Sequence, residues 1–459
     1  VSTTIAPNKE NPPITTPSLS HISPSNSEIC LIYTFDLQLM ISFQSLRNIN
    51  FNSILEETGH GVSANVPIPY GKGERKLNKH AALIFENHPL ITKNEAIKQY
   101  VENSPTAVNL LPFEHEGKLV VVIKVKDPET VGYENVRMIA GSIAKELKKR
   151  KIESASINEK ELTQRFAALE NNYVTTAFVE GWNLGSYQFN KYKSTGNPFK
   201  TTLQIEGDEN TTSSIKAGEL RAEATAFARD LVNEIPSILT PETFPEILKD
   251  AFKDTDVHVT VLDKEELEKR KMNGLLSVGK GSTHPPAFVE LEYRKDESKP
   301  LITLIGKGVT FDTGGISLKR GRDLSSMRMD MGGAAAVSGA MKLLADSDAA
   351  VNVVALIPIA ENMPDNTSVI PGDVIHYKNG LKVQVGNTDA EGRLILADAL
   401  IRAGELNSDY VIDIATLTGS IVNALGTKIA GVFGDEQLAL KMKELGRKNG
   451  DFVWPMPLI

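Results

Sequence analysis

Three short segments gather carboxylates, lysines and glycines more densely than turns or surface loops require. The first, IGKGVTFDTGGISLK (305–319), holds Lys307, Asp312 and Lys319 among four glycines. The second, MRMDMGG (327–333), carries Asp330 at the entrance of an alanine-rich run. The third, VGNTDAEGRLILADAL (385–400), packs Asp389, Glu391 and Arg393 together just before a helix-spaced apolar pattern.

Each segment alone has a plain structural reading. Thr388 and Glu391 fit the S/T-x-x-E capping box. Asp330 could cap the helix that follows it. Isolated lysines are usually solvated, and GKG falls well short of a phosphate-binding loop. Together the plain readings lose ground. Four carboxylates (Asp312, Asp330, Asp389 and Glu391) gathered at one place repel each other unless cations sit among them. Two divalent ions would balance them. Oxygen ligands suit Mg²⁺ or Mn²⁺, and Zn²⁺ also accepts carboxylates. Two metals flanked by cationic side chains are what hydrolysis of a peptide or phosphate ester needs, because they acidify a water and polarise the electrophile.

Composition narrows the setting. The chain has 459 residues, 41% of them apolar and 24% charged, so two or three soluble-type domains are expected. A net charge of −8 argues against a general nucleic-acid binder. The single cysteine, Cys30, excludes an intrachain disulfide or a thiolate zinc cluster and points to a reducing, cytoplasmic setting. The eight histidines are scattered, with no H-E-x-x-H pair, so any metal must be held mainly by oxygen. No run reads as a membrane span. The most apolar early stretch, CLIYTFDLQLMISF, is short and carries Asp36, which fits a buried strand better.

These segments need a scaffold. Residues 1–29, rich in Ser, Thr, Pro and Asn, read as a disordered tail. Residues 30–192 mix strand runs such as KLVVVIKV with a helical pattern over 136–152, and read as an N-terminal α/β domain. A polar stretch, 193–216, reads as a linker, and 217–459 as the catalytic domain. In that last part β-branched runs at 257–263, 288–293, 300–306, 351–359 and 410–417 alternate with helical segments. The fold class is therefore α/β: a smaller N-terminal domain and a larger catalytic one, with a mostly parallel sheet covered by helices. Chemistry in such folds collects at the carboxyl ends of strands, where the acidic segments lie.

The residues also carry a family resemblance. Lys307 to Asp312, Lys319, Asp330 and the octapeptide Asn387-Thr-Asp-Ala-Glu-Gly-Arg-Leu394 closely resemble the leucyl aminopeptidases, hexameric two-metal exopeptidases. The similarity extends through FVEGWNLGSYQFNKYKS (178–194), ARDLVNEIPSILTPETF (228–244) and ATLTG (415–419).

That resemblance implies roles. Asp312 and Glu391 would bridge two metals, Mn²⁺ or Zn²⁺ with Mg²⁺ a further option. Asp389 would complete the more exchangeable site. Lys307, as a neutral amine, and Asp330 would complete the tighter one. Lys319 would stay charged and polarise the scissile carbonyl. Arg393 would hold a bicarbonate acting as general base. Met327 would line the pocket for the first side chain, Thr416 and Leu417 the cleft beside it, and Asn387 would support the loop. Substrates would be peptides with a free N-terminus, leucine and similar residues preferred, and the assembly a homohexamer built as a dimer of trimers.

Two departures from the family pattern stand out. The chain stops at DFVWPMPLI where family members continue, so the catalytic domain is expected to be incomplete at its C-terminal end. Residues 1–75 do not match the usual start of the first domain, and GVSANVPIPYGKGERK has no assignable role. Two other readings remain at this level: a DNA-binding regulatory relative, for which KELKKRK (145–151) is the one basic cluster, and a catalytically lapsed scaffold. A two-metal phosphoesterase fits the acids but not a lysine ligand or the octapeptide.

Overall fold

A computed structural model describes residues 28–33, 79–194, 199–296, 298–321 and 323–458. Its strands in chain order are β1 (Glu28–Tyr33), β2 (His80–Phe85), β3 (Val108–His115), β4 (Lys118–Ile123), β5 (Ser154–Asn158), β6 (Thr202–Glu206), β7 (His258–Leu262) and β8 (Ala287–Arg294). They continue with β9 (Leu301–Gly306), β10 (Gly308–Asp312), β11 (Asn352–Asn362), β12 (Val374–His376), β13 (Lys382–Gln384), β14 (Tyr410–Ala415), β15 (Ala430–Gly434) and β16 (Val453–Pro455).

A smaller sheet runs β3-β4-β2-β5-β6, parallel except where β3 meets β4. Helices Tyr133–Lys149 and Asn171–Ser186 pack on it and bury Val136, Ile143, Phe178 and Trp182. A larger sheet runs β16-β15-β1-β14-β9-β11-β8-β7, with β10 paired to β11. Its centre, β1-β14-β9-β11, is parallel, and antiparallel strands close both sides. Helices Glu209–Asn233, Thr243–Phe252 and Gly332–Asp346 cover one face, and Glu391–Glu405 the other. The expected mixed α/β, two-part architecture is what forms. No described helix is long and apolar enough to cross a membrane.

Several local expectations change. Within 193–216, Thr202–Glu206 is a strand parallel to β5, because Leu203 and Ile205 can pack on the small core. The next helix starts at Glu209, capped by Asp208, whose carboxylate accepts from the Asn210 and Thr211 amides. The apolar stretch around Cys30 does form a strand, but β1 lies in the large sheet between β14 and β15. Residues 34–78, including GVSANVPIPYGKGERK, and the tail 1–27 lie outside the described residues.

One contact sets the site's depth. A Cβ at Gly333 would fall 1.9 Å from the Ile414 carbonyl oxygen, so glycine there lets the helix Gly332–Asp346 begin hard against β14. Lys307 is threaded between them: its amide donates to the Ile414 carbonyl at 3.0 Å and its carbonyl accepts from the Ala334 amide at 2.9 Å.

Candidate metal centre

Lys307 follows β9 at its carboxyl end and is 2% exposed. Its Nζ lies 2.8 Å from Asp330 Oδ1, 2.9 Å from Glu391 Oε1 and 2.9 Å from the Thr416 carbonyl. Asp312 ends β10. Asp330 sits in a 3-10 turn, Leu324–Met331, and Glu391 is the first residue of its helix. Oxygens of Asp312, Asp330 and Glu391 all lie within 4.8 Å of one another, and all three residues are buried. Lys319 closes the outer side: its Nζ is 2.7 Å from Asp312 Oδ2 and pairs also with Asp389, which is partly open to solvent.

The plain capping readings fail here. Asp330 caps nothing: the residue before the helix is Met331, and the Asp330 carboxylate instead takes the Thr416 hydroxyl at 2.7 Å. Thr388 does not cap Glu391's helix either. Its hydroxyl donates to the Gly314 carbonyl at 2.7 Å and accepts from the Ser317 amide at 2.8 Å. Asn387 caps the short turn instead, accepting from the Asp389 amide at 2.9 Å.

Four carboxylates against two ammoniums leave two negative charges uncompensated in a largely dry site. Burial pushes the Asp330 carboxyl well up, and the negative Glu391 and Asp312 add to this against the pull of Lys307. Burial and Glu391 likewise push Asp312 up. Burial would lower Lys307, but Asp330 and Glu391 outweigh it and hold the ammonium charged. Lys319 is also raised, since Asp312 and Asp389 outweigh its burial. Thus the two lysines already supply part of the positive charge that the cluster demands.

The remaining demand fits a hard cation. Glu391 Oε2 is buried without a hydrogen-bond partner. Asp330 Oδ2 is also buried without one, although Lys307 Nζ stands 2.7 Å away outside hydrogen-bond alignment. An orphaned buried carboxylate oxygen is costly unless a cation or donor meets it. Oxygen donors with one lysine nitrogen suit Mn²⁺, Mg²⁺ or Zn²⁺.

The other expected residues lie on the same chain segments as the cluster or next to them. Leu417 packs beside Lys307, since a Cβ at Gly392 would come within 2.8 Å of both the Leu417 and Lys307 side chains. Met327 is half-buried on the 3-10 turn before Asp330. Arg393 is exposed in the first turn of its helix, and Asn387 is exposed at the start of the short turn before that helix. Two contributors escaped the sequence reading. Asn362, ending β11, contacts Asp312, and Ser317 exchanges hydrogen bonds with Thr388. The polar break after the buried run of β11 was the available signal for Asn362.

Comparison with known proteins follows the same lines. Residues 226–459 match the description "Cytosol aminopeptidase family, catalytic domain", and residues 106–196 match "Cytosol aminopeptidase family, N-terminal domain". A probable cytosol aminopeptidase of Persephonella marina is 39% identical over 78% of this chain and 74% of the relative. One from Aquifex aeolicus is 38% identical over 74% and 68% respectively. Among solved structures, the bottromycin maturation enzyme BotP in complex with Mn superposes with a TM-score of 0.73 at 30% identity, covering 83% of this chain and 81% of that one.

Proposed function

The chain belongs to the cytosol aminopeptidase family and is an enzyme of the leucyl aminopeptidase type; from that premise we propose that the buried carboxylate cluster is its two-metal catalytic centre. One observation carries the reading: oxygens of Asp312, Asp330 and Glu391 lie within 4.8 Å of one another, away from solvent. Asp312 and Glu391 would be held in common by the two ions, Lys307 and Asp330 would serve one of them, and Asp389 the other. When bound, the ions supply Lewis acidity and a water acidic enough to attack near neutral pH.

The chain's own side chains do the rest. Lys319 stays protonated between two carboxylates and offers its charge to the scissile carbonyl, stabilising negative charge as it develops. The Thr416 hydroxyl holds Asp330 in place; Met327 lines the pocket for the first side chain, and Thr416 and Leu417 line the cleft beside it. Arg393, exposed beside Glu391, offers its guanidinium to a bicarbonate. Lys307 must give up its proton to act as a ligand, which adjacent dications favour. Substrates are peptides with a free N-terminus, leucine and similar apolar residues preferred. The working assembly is a homohexamer in the cytosol, and Mn²⁺ or Zn²⁺ are the ions, with Mg²⁺ able to substitute.

Hydrolysis of Leu-p-nitroanilide before and after chelation tests the reading. Chelated protein should be inactive, Mn²⁺ or Zn²⁺ should restore turnover, and the N-acetylated substrate should stay intact. Full activity after chelation, or none with metal on any unblocked amino-acid amide, would sink it.

A further inference from the structure

We propose that Asn362 is a positioning residue that fixes the Asp312 carboxylate for metal capture and locks it to the Thr388–Glu391 segment. Asn362 ends β11 and is 2% exposed. Its side-chain Nδ2 donates to Asp312 Oδ1 at 2.9 Å and to the Thr388 carbonyl at 3.0 Å. Both neighbours can only accept in their ionised and backbone forms, so the amide has one workable orientation: the flipped amide would set its oxygen against two oxygens. The Gly315 backbone packs closely against the other end of the amide. A Cβ at Gly315 would lie 2.7 Å from Asn362 Oδ1, and Gly315 is a glycine at φ +60°.

The consequence for Asp312 is directional. Its Oδ1 receives Asn362 and also the Gly314 amide, at 2.9 Å, so that oxygen is saturated by neutral donors. Its Oδ2 is left facing the lysine side of the cluster, 2.7 Å from Lys319 Nζ. A neutral amide can therefore orient the carboxylate without spending the negative charge a cation needs, which a lysine or arginine in its place would do. The backbone of Asn362 holds the same segment from the other side: its carbonyl accepts from the Thr313 amide at 3.1 Å and from the Thr313 hydroxyl at 2.7 Å. Thus one residue of β11 ties together the two chain segments that carry Asp312 and the pair Asp389 and Glu391. Nearby groups that hold a ligating carboxylate typically influence metal affinity or activity by tenfold or more.

This inference rests on the two-metal reading, and the test separates the two. Free Mn²⁺ is measured by electron paramagnetic resonance during titration of the chelated full chain and of Asn362→Leu, with circular dichroism and thermal unfolding in parallel. A folded Asn362→Leu should bind Mn²⁺ at least ~10-fold more weakly and lose kcat by a similar factor, with KM within about twofold. Equal Mn²⁺ affinity with only a lower melting temperature would show a structural role alone and overturn the proposal. If Asn362→Leu does not fold, the near-isosteric Asn362→Asp decides: lacking both donors, it should lose at least ~10-fold in kcat at saturating Mn²⁺, and parental kcat would overturn the proposal. Failure of the parent chain itself to bind Mn²⁺ would overturn both the positioning role and the metal-centre reading.

Discussion

Lys307 Nζ stands 2.9 Å from Glu391 Oε1, two side chains of opposite charge that are each about 2% exposed as whole residues. A buried pair of this kind gains little net stability, because desolvation offsets most of the attraction. Glu391 keeps a second oxygen buried without a hydrogen-bond partner, which a purely structural pair would not leave. The pair therefore reads as the inner wall of a cation site rather than as a folding contact.

Replacing Glu391 by glutamine keeps the shape and much of the hydrogen-bonding capacity but removes the charge. Turnover with Mn²⁺ should fall by roughly 100-fold or more, while the thermal midpoint of the metal-free chain stays near that of the parent. Survival of metal-dependent activity in Glu391→Gln would mean that the carboxylate serves only the helix start.

Lys319 should behave as an electrophile rather than as a ligand. Lys319→Ala is expected to lower kcat on Leu-p-nitroanilide by about 10²–10³ with little change in Mn²⁺ affinity. A large drop in metal affinity with kcat preserved at saturation would reverse that assignment.

Asp413, fully within the large sheet on β14, has its carboxyl pushed up to about 7 by burial. Between the ordinary value of 3.8 and about 7 the folded chain holds a proton that the unfolded chain releases. Its contribution to stability is thus complete below the lower value and is lost as pH rises toward the upper one, with a slope approaching about 1.4 kcal/mol per pH unit inside the window. Urea midpoints of the parent should decline between about pH 5 and about pH 7, and Asp413→Asn should flatten that decline. An unchanged slope in Asp413→Asn would count against the buried acid as its source.

The two parts of the chain are joined by a nearly buried arginine. Arg137 Nε donates to Glu180 Oε2 at 2.8 Å, and its guanidinium reaches the Lys448 carbonyl, at 3.4 Å, near the end of the helix Glu436–Asn449. Arg137→Ala would remove the hydrogen-bonded ion-pair partner of the Glu180 carboxylate and the side-chain donor that reaches the Lys448 carbonyl. A loss of about 3–5 kcal/mol in chemical denaturation is expected, as for other buried pairs broken from one side. A loss below ~1 kcal/mol would show that water re-enters and satisfies Glu180.

Much of this was legible in the chain because the signals were strong and local. Apolar, β-branched runs such as that of β11 announce buried parallel strands, and the acidic segments follow strands or open helices. Asp312, Asp330 and Glu391 could be grouped from charge alone, since unpaired acids at strand ends demand a partner. The partners themselves were harder to see. Nothing in a sequence says that Lys319 will span Asp312 and Asp389, or that Thr388 will turn from helix cap to brace for the Gly314 segment. The polar break at Asn362 said nothing of its partner, because an asparagine at a strand end usually marks a turn. β1 was misplaced for a similar reason: local pattern identifies a strand but not the sheet that takes it, and its pairing with β14 is long-range. The polar composition of 202–206 likewise hid a half-buried strand at the margin of the small sheet.

If the buried carboxylates hold a pair of ions, those ions can be counted. Chelated protein dialysed against Mn²⁺ should retain about two ions per chain. Asp330→Asn should lose the tighter of the two first, and activity should track occupancy. Failure to retain any Mn²⁺, or equal retention by the parent and by Asp330→Asn combined with Glu391→Gln, would contradict the two-ion centre.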